Sequence, residues 1–129
     1  MKTIAIAAVT AGGKTTIVNE LKKQIANTKV LHFDDYPFAY CHEALREYID
    51  CAIFIDTPLD IAMARRVLRD MKNATGDEIR QDMDTYLKYA RVAYIQMLKD
   101  VLPASDYVID GTKELDDKVD EIKKIILSL

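Results

Sequence analysis

Ala8-Val9-Thr10-Ala11-Gly12-Gly13-Lys14-Thr15-Thr16 is the stretch on which the reading of this chain turns. Thr3-Ile4-Ala5-Ile6-Ala7 precedes it, an apolar run that reads as a buried strand. Ile17-Val18-Asn19-Glu20-Leu21 follows, and there apolar residues begin to recur at helical spacing. A strand, a loop of small residues and a helix opened by Lys and Thr is the context that gives G-x-x-x-x-G-K-[ST] its meaning as a phosphate loop. Successive backbone N–H groups curl around an anion, and the helix N-terminus adds the positive end of its dipole. Ala11, Gly12, Gly13, Lys14, Thr15 and Thr16 would form the cradle. Lys14 would reach the outer phosphates, and the Thr15 hydroxyl would ligate a magnesium ion bridging two of them. Ala8 stands where the pattern has its first Gly. Ala avoids positive φ, so Ala8 and Ala11 must both lie in allowed regions. The plainer alternative is a Gly-Gly turn with a solvated Lys and a helix-capping Thr.

The 129 residues suit a single domain with a real core. Half are hydrophobic and 30% charged, as in an ordinary globular protein. The net charge of -3 argues against a nucleic-acid surface, which would show as a basic excess. No apolar run approaches the ~20 residues of a membrane helix. The N-terminus passes straight into a strand without a signal-peptide layout, so no membrane partner and a cytoplasmic location are expected. Cys41 and Cys51 are too few for a disulfide framework. Cys41-His42 together with His32 fits no zinc spacing.

Along the chain, a helix is expected from Lys14 to about Asn27, with Ile17, Leu21 and Ile25 inward. Val30-Leu31-His32-Phe33 reads as a second strand ending in Asp34-Asp35, at the sheet edge where ligands of open α/β sheets collect. His42 to Asp50 can form a short helix. Cys51-Ala52-Ile53-Phe54-Ile55 reads as a third strand closed by Asp56, and Thr57-Pro58 as an N-cap followed by the first helical residue. That helix carries Leu59, Met63, Val67 and Met71 on one side and Arg65, Arg66 and Arg69 elsewhere. After a loop at Asn73-Ala74-Thr75-Gly76, Asp77 opens a helical segment to about Leu102, with Tyr86, Ala90, Tyr94 and Leu98 on one face. Asp106 to Gly111 is a fourth strand with its exit turn, and a last helix turns Leu115, Val119, Ile122 and Ile126 inward. Unalternated apolar strands between helices predict an α/β fold, a parallel sheet covered on both faces. Strands are expected near residues 2–8, 29–34, 51–56 and 106–110, in spatial order 2-1-3-4, with the first inside because a phosphate loop belongs at a topological switch point.

In this order, the phosphate loop, F-D-D-Y, I-A-M-A-R-R-V-L-R-D after I-F-I-D-T-P, and D-Y-V-I-D-G make the chain resemble the P-loop small-molecule kinases, nearest the uridine kinase-like nucleoside kinases. The resemblance implies a three-layer P-loop NTPase-type fold over residues 1–129, with a lid region near residues 65–80. It implies an ATP-dependent transfer of the γ-phosphate to a small-molecule hydroxyl, with Mg2+ as cofactor. Carried over residue by residue, Lys14 and Thr15 hold phosphates and magnesium, and Asp34 accepts the proton of the acceptor hydroxyl. Arg65, Arg66 and Arg69 match lid arginines that close over the transferred group. Asp110, Gly111 and Thr112 form the turn near which adenine packs. The chemistry is coherent without the family, because a metaphosphate-like transition state spreads negative charge that mobile guanidinium groups can neutralise. A solvated helix face is the plain alternative for the arginines.

One departure stands out. Such kinases carry a long segment, with acceptor-binding helices and a further strand, after F-D-D-Y. Here F-D-D-Y runs directly into Pro37-Phe38-Ala39-Tyr40, as though two strand ends were fused. Asp34 as the base and Asp35 as magnesium support is the preferred assignment, and the reverse stays open, because adjacent strand residues face opposite ways. Three readings follow: a complete or shortened kinase, an ATP-binding module with little transfer, and an assembly in which an exposed sheet edge or the Asp77–Leu102 helix pairs two copies as a homodimer.

Overall fold

In the computed structural model the described residues are 1–9, 13–31 and 46–129. Strands β1 (Ile4–Ala8), β2 (Cys51–Asp56) and β3 (Tyr107–Asp110) form a parallel sheet in the order β1-β2-β3. β1 pairs with β2 from Ile4 opposite Cys51 to Ala8 opposite Ile55. β2 pairs with β3 from Ile53 opposite Tyr107 to Asp56 opposite Asp110. This register brings the C-terminal ends of all three strands out level, at one edge of the sheet.

Alternation along each strand sorts side chains onto two faces. Ile4, Ile6, Cys51, Ile53, Ile55 and Ile109 meet Ile17 and Leu21 of α1 (Lys14–Gln24) and Val119 and Ile122 of α5 (Leu115–Leu127). Ala5, Ala7, Val9, Ala52 and Phe54 meet Ala62 of α2 (Leu59–Asp70) and Met97 of α4 (Arg91–Asp100). Helices therefore cover both faces, and β2, the middle strand, is buried from Cys51 to Ile55. Fully burying an Ile or Phe side chain contributes roughly 1.5–3 kcal/mol, so β2 is a major anchor of the fold.

The expected first, third and fourth strands thus appear in the expected spatial sequence. The expected second strand does not appear where it can be seen: Lys29 to Leu31 are not in a strand, and 32–34 lie outside the described residues. Among the described residues the sheet has three strands, not four. Of the short helix expected over 42–50, residues 42–45 also lie outside them, and the rest closes as a turn from the Ile49 N–H to the Arg46 carbonyl.

Two helix starts differ from the sequence reading. α2 begins at Leu59 with Pro58 in the capping position, and Thr57 is not the cap. Its hydroxyl is buried instead. The segment expected from Asp77 begins one residue earlier, as α3 (Gly76–Thr85). Thr75 caps it through a reciprocal pair with Glu78: the Glu78 N–H donates to the Thr75 hydroxyl, and the Thr75 N–H to the Glu78 carboxylate. A wider turn, Tyr86–Ala90, joins α3 to α4, its closing bond running from the Arg91 N–H to the Tyr86 carbonyl five residues back. Tyr86 and Tyr94 still meet, ring centroids 6.3 Å apart.

Candidate functional site

The site is built where β1, β2 and β3 end. Gly13 caps α1 with φ 80° and ψ 12°, a left-handed conformation that Gly adopts without strain. Gly13 has no side chain with which to cap the helix, and no acidic residue stands in its first turn. Within the described residues of the helix itself, nothing acidic offsets its positive end. Thr15 and Thr16 are exposed in that first turn. Ala11 and Gly12 of the expected cradle lie outside the described residues, as do Asp34, Asp35, and the His32, Cys41 and His42 weighed for metal.

β2 and β3 leave the sheet together. The Gly111 N–H donates to the Asp56 carbonyl at 2.7 Å. Gly111 is buried so closely against its neighbour that a Cβ there would sit 1.8 Å from Thr57 Oγ1. Among the described residues Thr57 Oγ1 itself is buried without a hydrogen-bond partner. Asp110 folds the turn onto itself: its Oδ1 accepts from the Thr112 N–H at 2.9 Å and the Thr112 hydroxyl at 2.7 Å. Those bonds, the hydroxyl's first, hold the Asp110 carboxyl below its ordinary pKa. The Gly111 carbonyl accepts from Arg65 Nη1 at 2.9 Å and from Lys118 Nζ at 3.2 Å.

The three arginines do not converge. Arg65 reaches the Gly111 carbonyl at the sheet edge. Arg66 makes two bonds to Asp82 of α3, at 3.2 and 2.6 Å, and its guanidinium lies 6.0 Å from the Tyr86 ring centroid. The Asp82 hydrogen bond pushes the Arg66 pKa further up. Arg69 pairs with its neighbour Asp70 at the solvent end of α2, beside a cleft of about 440 Å³ that also involves Lys72, Asn73 and Glu78.

Lys118 and Thr57 are site neighbours that sequence reasoning missed. The signal for Lys118 was present: it sits three residues after Leu115 and four before Ile122, on the inward stripe of α5. Thr57-Pro58 reads locally as a helix start, and nothing in the sequence shows its hydroxyl turning inward.

Among the described residues no group of three or more His, Cys, Asp and Glu side chains could hold a metal ion. The Thr15 hydroxyl, exposed at the start of α1, suits a magnesium ion whose remaining ligands are phosphate oxygens and water. Among the described residues no helix is long and apolar enough to cross a membrane.

Residues 28–116, well over half of the chain, match the profile of the phosphoribulokinase/uridine kinase family. The chain belongs to that family. The matched stretch begins after the phosphate loop, so the loop's own residues are an independent observation. Curated relatives of this phosphoribulokinase/uridine kinase family member include the uridine kinase of Psychromonas ingrahamii, 40% identical over 68 residues, which are 51% of this chain and 31% of that one. The uridine kinase of Pectobacterium carotovorum is 32% identical over 94 residues, 73% of this chain and 40% of its own. That of Escherichia coli K12 is 31% identical over 96 residues, 74% and 41% respectively. The chain thus spans about a third to two fifths of the length of these relatives.

Proposed function

We propose that this chain binds ATP with magnesium and transfers the γ-phosphate to a hydroxyl of a small molecule of the nucleoside class. The observation that carries the reading is the start of α1: a left-handed Gly13, then Lys14-Thr15-Thr16, on an uncapped helix end at the exit of β1. Backbone N–H groups and the helix dipole bind an anion there, and Lys14 adds a charge-assisted contact. Bound magnesium would neutralise phosphate charge, with Thr15 as its protein ligand. Arg65, already at the sheet edge, is the arginine best placed to swing onto a transferring phosphoryl group. Arg69 lies one turn further on the same helix. Arg66 would first have to release Asp82. Asp34 remains the proposed base and Asp35 the proposed magnesium support, as the family resemblance implies. The turn Asp110-Gly111-Thr112 would flank the base of the nucleotide.

Lys14→Ala should lower ATP affinity by about 1.5–3 kcal/mol while leaving adenosine binding nearly unchanged, because the lost group meets phosphate. Calorimetry with both ligands tests it, and equal losses would remove Lys14 from the phosphate site. ATP consumption with and without added nucleosides then tests transfer.

A second reading, an ATP-binding module with little transfer, is favoured by the direct run from F-D-D-Y into Pro37-Phe38, where related kinases place their acceptor-binding segment. ATP binding without nucleoside-dependent turnover would select it.

A further inference from the structure

We propose that Lys118 is a positioning residue of the nucleotide site, tying the exit turn of β3 to the last glycine of the phosphate loop. The proposal rests on the nucleotide-binding reading above. Lys118 is only 6% exposed. Its Nζ donates to the Gly111 carbonyl at 3.2 Å and lies 3.6 Å from where a Cβ on Gly13 would stand. Among the described residues it forms no ion pair with a carboxylate. A buried ammonium bonded to a carbonyl loses more hydration than one such bond returns. Burial first, then the neighbouring Arg65, lower the Lys118 pKa, while Glu114 and Asp110 oppose them. A methionine of similar length would fill the same space without a charge to desolvate. Stability therefore does not account for a lysine here, and what its ammonium touches does.

Three segments meet at that ammonium. Gly13 immediately precedes Lys14, Gly111 immediately follows Asp110, and Arg65 of α2 shares the Gly111 carbonyl. Lys118 thus sets the spacing between the phosphate end of the site and the turn proposed to flank the base. It also keeps the Gly111 carbonyl bonded when Arg65 leaves it.

The experiment compares wild type, Lys118→Met and Lys118→Arg, first without nucleotide. Amide hydrogen exchange at Ile17, whose N–H is bonded to the Gly13 carbonyl, and at residues 111–113 should quicken by about fivefold or more in Lys118→Met, with Ile6 and Ile53 unchanged, because the loss is local opening. Lys118→Arg, which keeps the charge, should recover most of the protection. ATP affinity should fall by about tenfold in Lys118→Met, about 1.4 kcal/mol, and adenosine affinity by less than about threefold. Unchanged exchange at both segments overturns the proposal, as does an equal rise throughout the core, which marks general destabilisation. If wild type itself binds no ATP, the nucleotide-binding reading fails, and the exchange comparison still decides whether Lys118 holds the two segments. Lys118→Gln serves the same comparison should the Met variant fail to fold.

Discussion

Arg65 and Lys118 donate to one atom, the Gly111 carbonyl oxygen, from helices on opposite faces of the sheet. A carbonyl has two lone pairs, so neither bond excludes the other. The consequence is asymmetric. Lys118 is buried, whereas Arg65 is partly exposed in the middle of α2, followed on the same helix by Arg66 and Arg69. Arg65 can leave the carbonyl without stranding it, which suits a group that acts during phosphoryl transfer.

Arg65→Ala should therefore lower turnover far more than ATP affinity. Removing one preorganised donor from a developing charge lowers kcat by about 10²–10³. Interactions made only in the transition state lower kcat and kcat/KM together. Steady-state kinetics against direct ATP binding makes the comparison, and a change confined to KM would place Arg65 in docking alone.

Arg66 should behave differently, because its bonds are spent within the fold. Its pair with Asp82 is bidentate and about a fifth to a third exposed, with the Tyr86 ring alongside. Arg66→Ala and Asp82→Ala should each cost about 1–2 kcal/mol, discounted for solvent screening. The double variant should lose less than the sum, because one interaction is removed twice. Urea unfolding of the four proteins measures this, and strict additivity would mean that the pair does not fasten α2 to α3.

The sheet edge makes a sharper demand at Gly111. Any Cβ there meets Thr57 Oγ1 at 1.8 Å and the Asp56 carbonyl at 3.1 Å, one a buried side chain and the other backbone. Gly111→Ala should destabilise by about 2–3 kcal/mol through overpacking. Thr57→Val removes a buried hydroxyl that has no partner among the described residues and should stabilise by about 1 kcal/mol. Thermal melts of both variants decide it. A neutral Gly111→Ala would mean that the β3 exit turn moves aside freely.

What the sequence made legible follows from where each signal is local. The apolar runs at Ile4–Ala8 and Cys51–Asp56 and the four-residue spacing of Ile17 and Leu21 carry their own structural meaning, and each forms the expected element. The chain order of strands and helices then fixed parallel pairing. Thr57 was misread because a Thr-Pro pair is a helix signal over two residues, while its burial depends on Gly111, far along the chain. The cap at Thr75 was legible in Thr-x-x-Glu and was passed over for Asp77. The family resemblance groups the arginines as one lid set, yet residues one apart on a helix point about 100° from each other, which sends Arg65 to the sheet edge and Arg66 to Asp82. Asp34 and Asp35 lie outside the described residues, and their roles rest on the resemblance.

Lys118 also sets a pH dependence whose sign can be worked out. Its folded pKa lies below the ordinary 10.5, with desolvation the larger cause and Arg65 of α2 the second, against Glu114 and Asp110. Between the lowered value and 10.5 the unfolded chain binds more protons than the folded one, so stability rises with pH in that window. Below the window both states are protonated and the contribution is constant. Other groups titrate nearby: burial holds the Cys51 thiol above its ordinary 9.0, and that works the opposite way, removing stability as pH rises past 9.0. Comparing wild type with Lys118→Met cancels this background, since Cys51 is common to both. Wild type should gain stability relative to the variant as pH climbs through the alkaline window toward 10.5, with no slope in the difference near neutrality. Urea unfolding of both proteins from pH 7 to 10.5 measures it. A flat difference across the whole range would mean that the ammonium is as well solvated in the fold as in the unfolded chain, and a falling one would mean that it is stabilised there by charge.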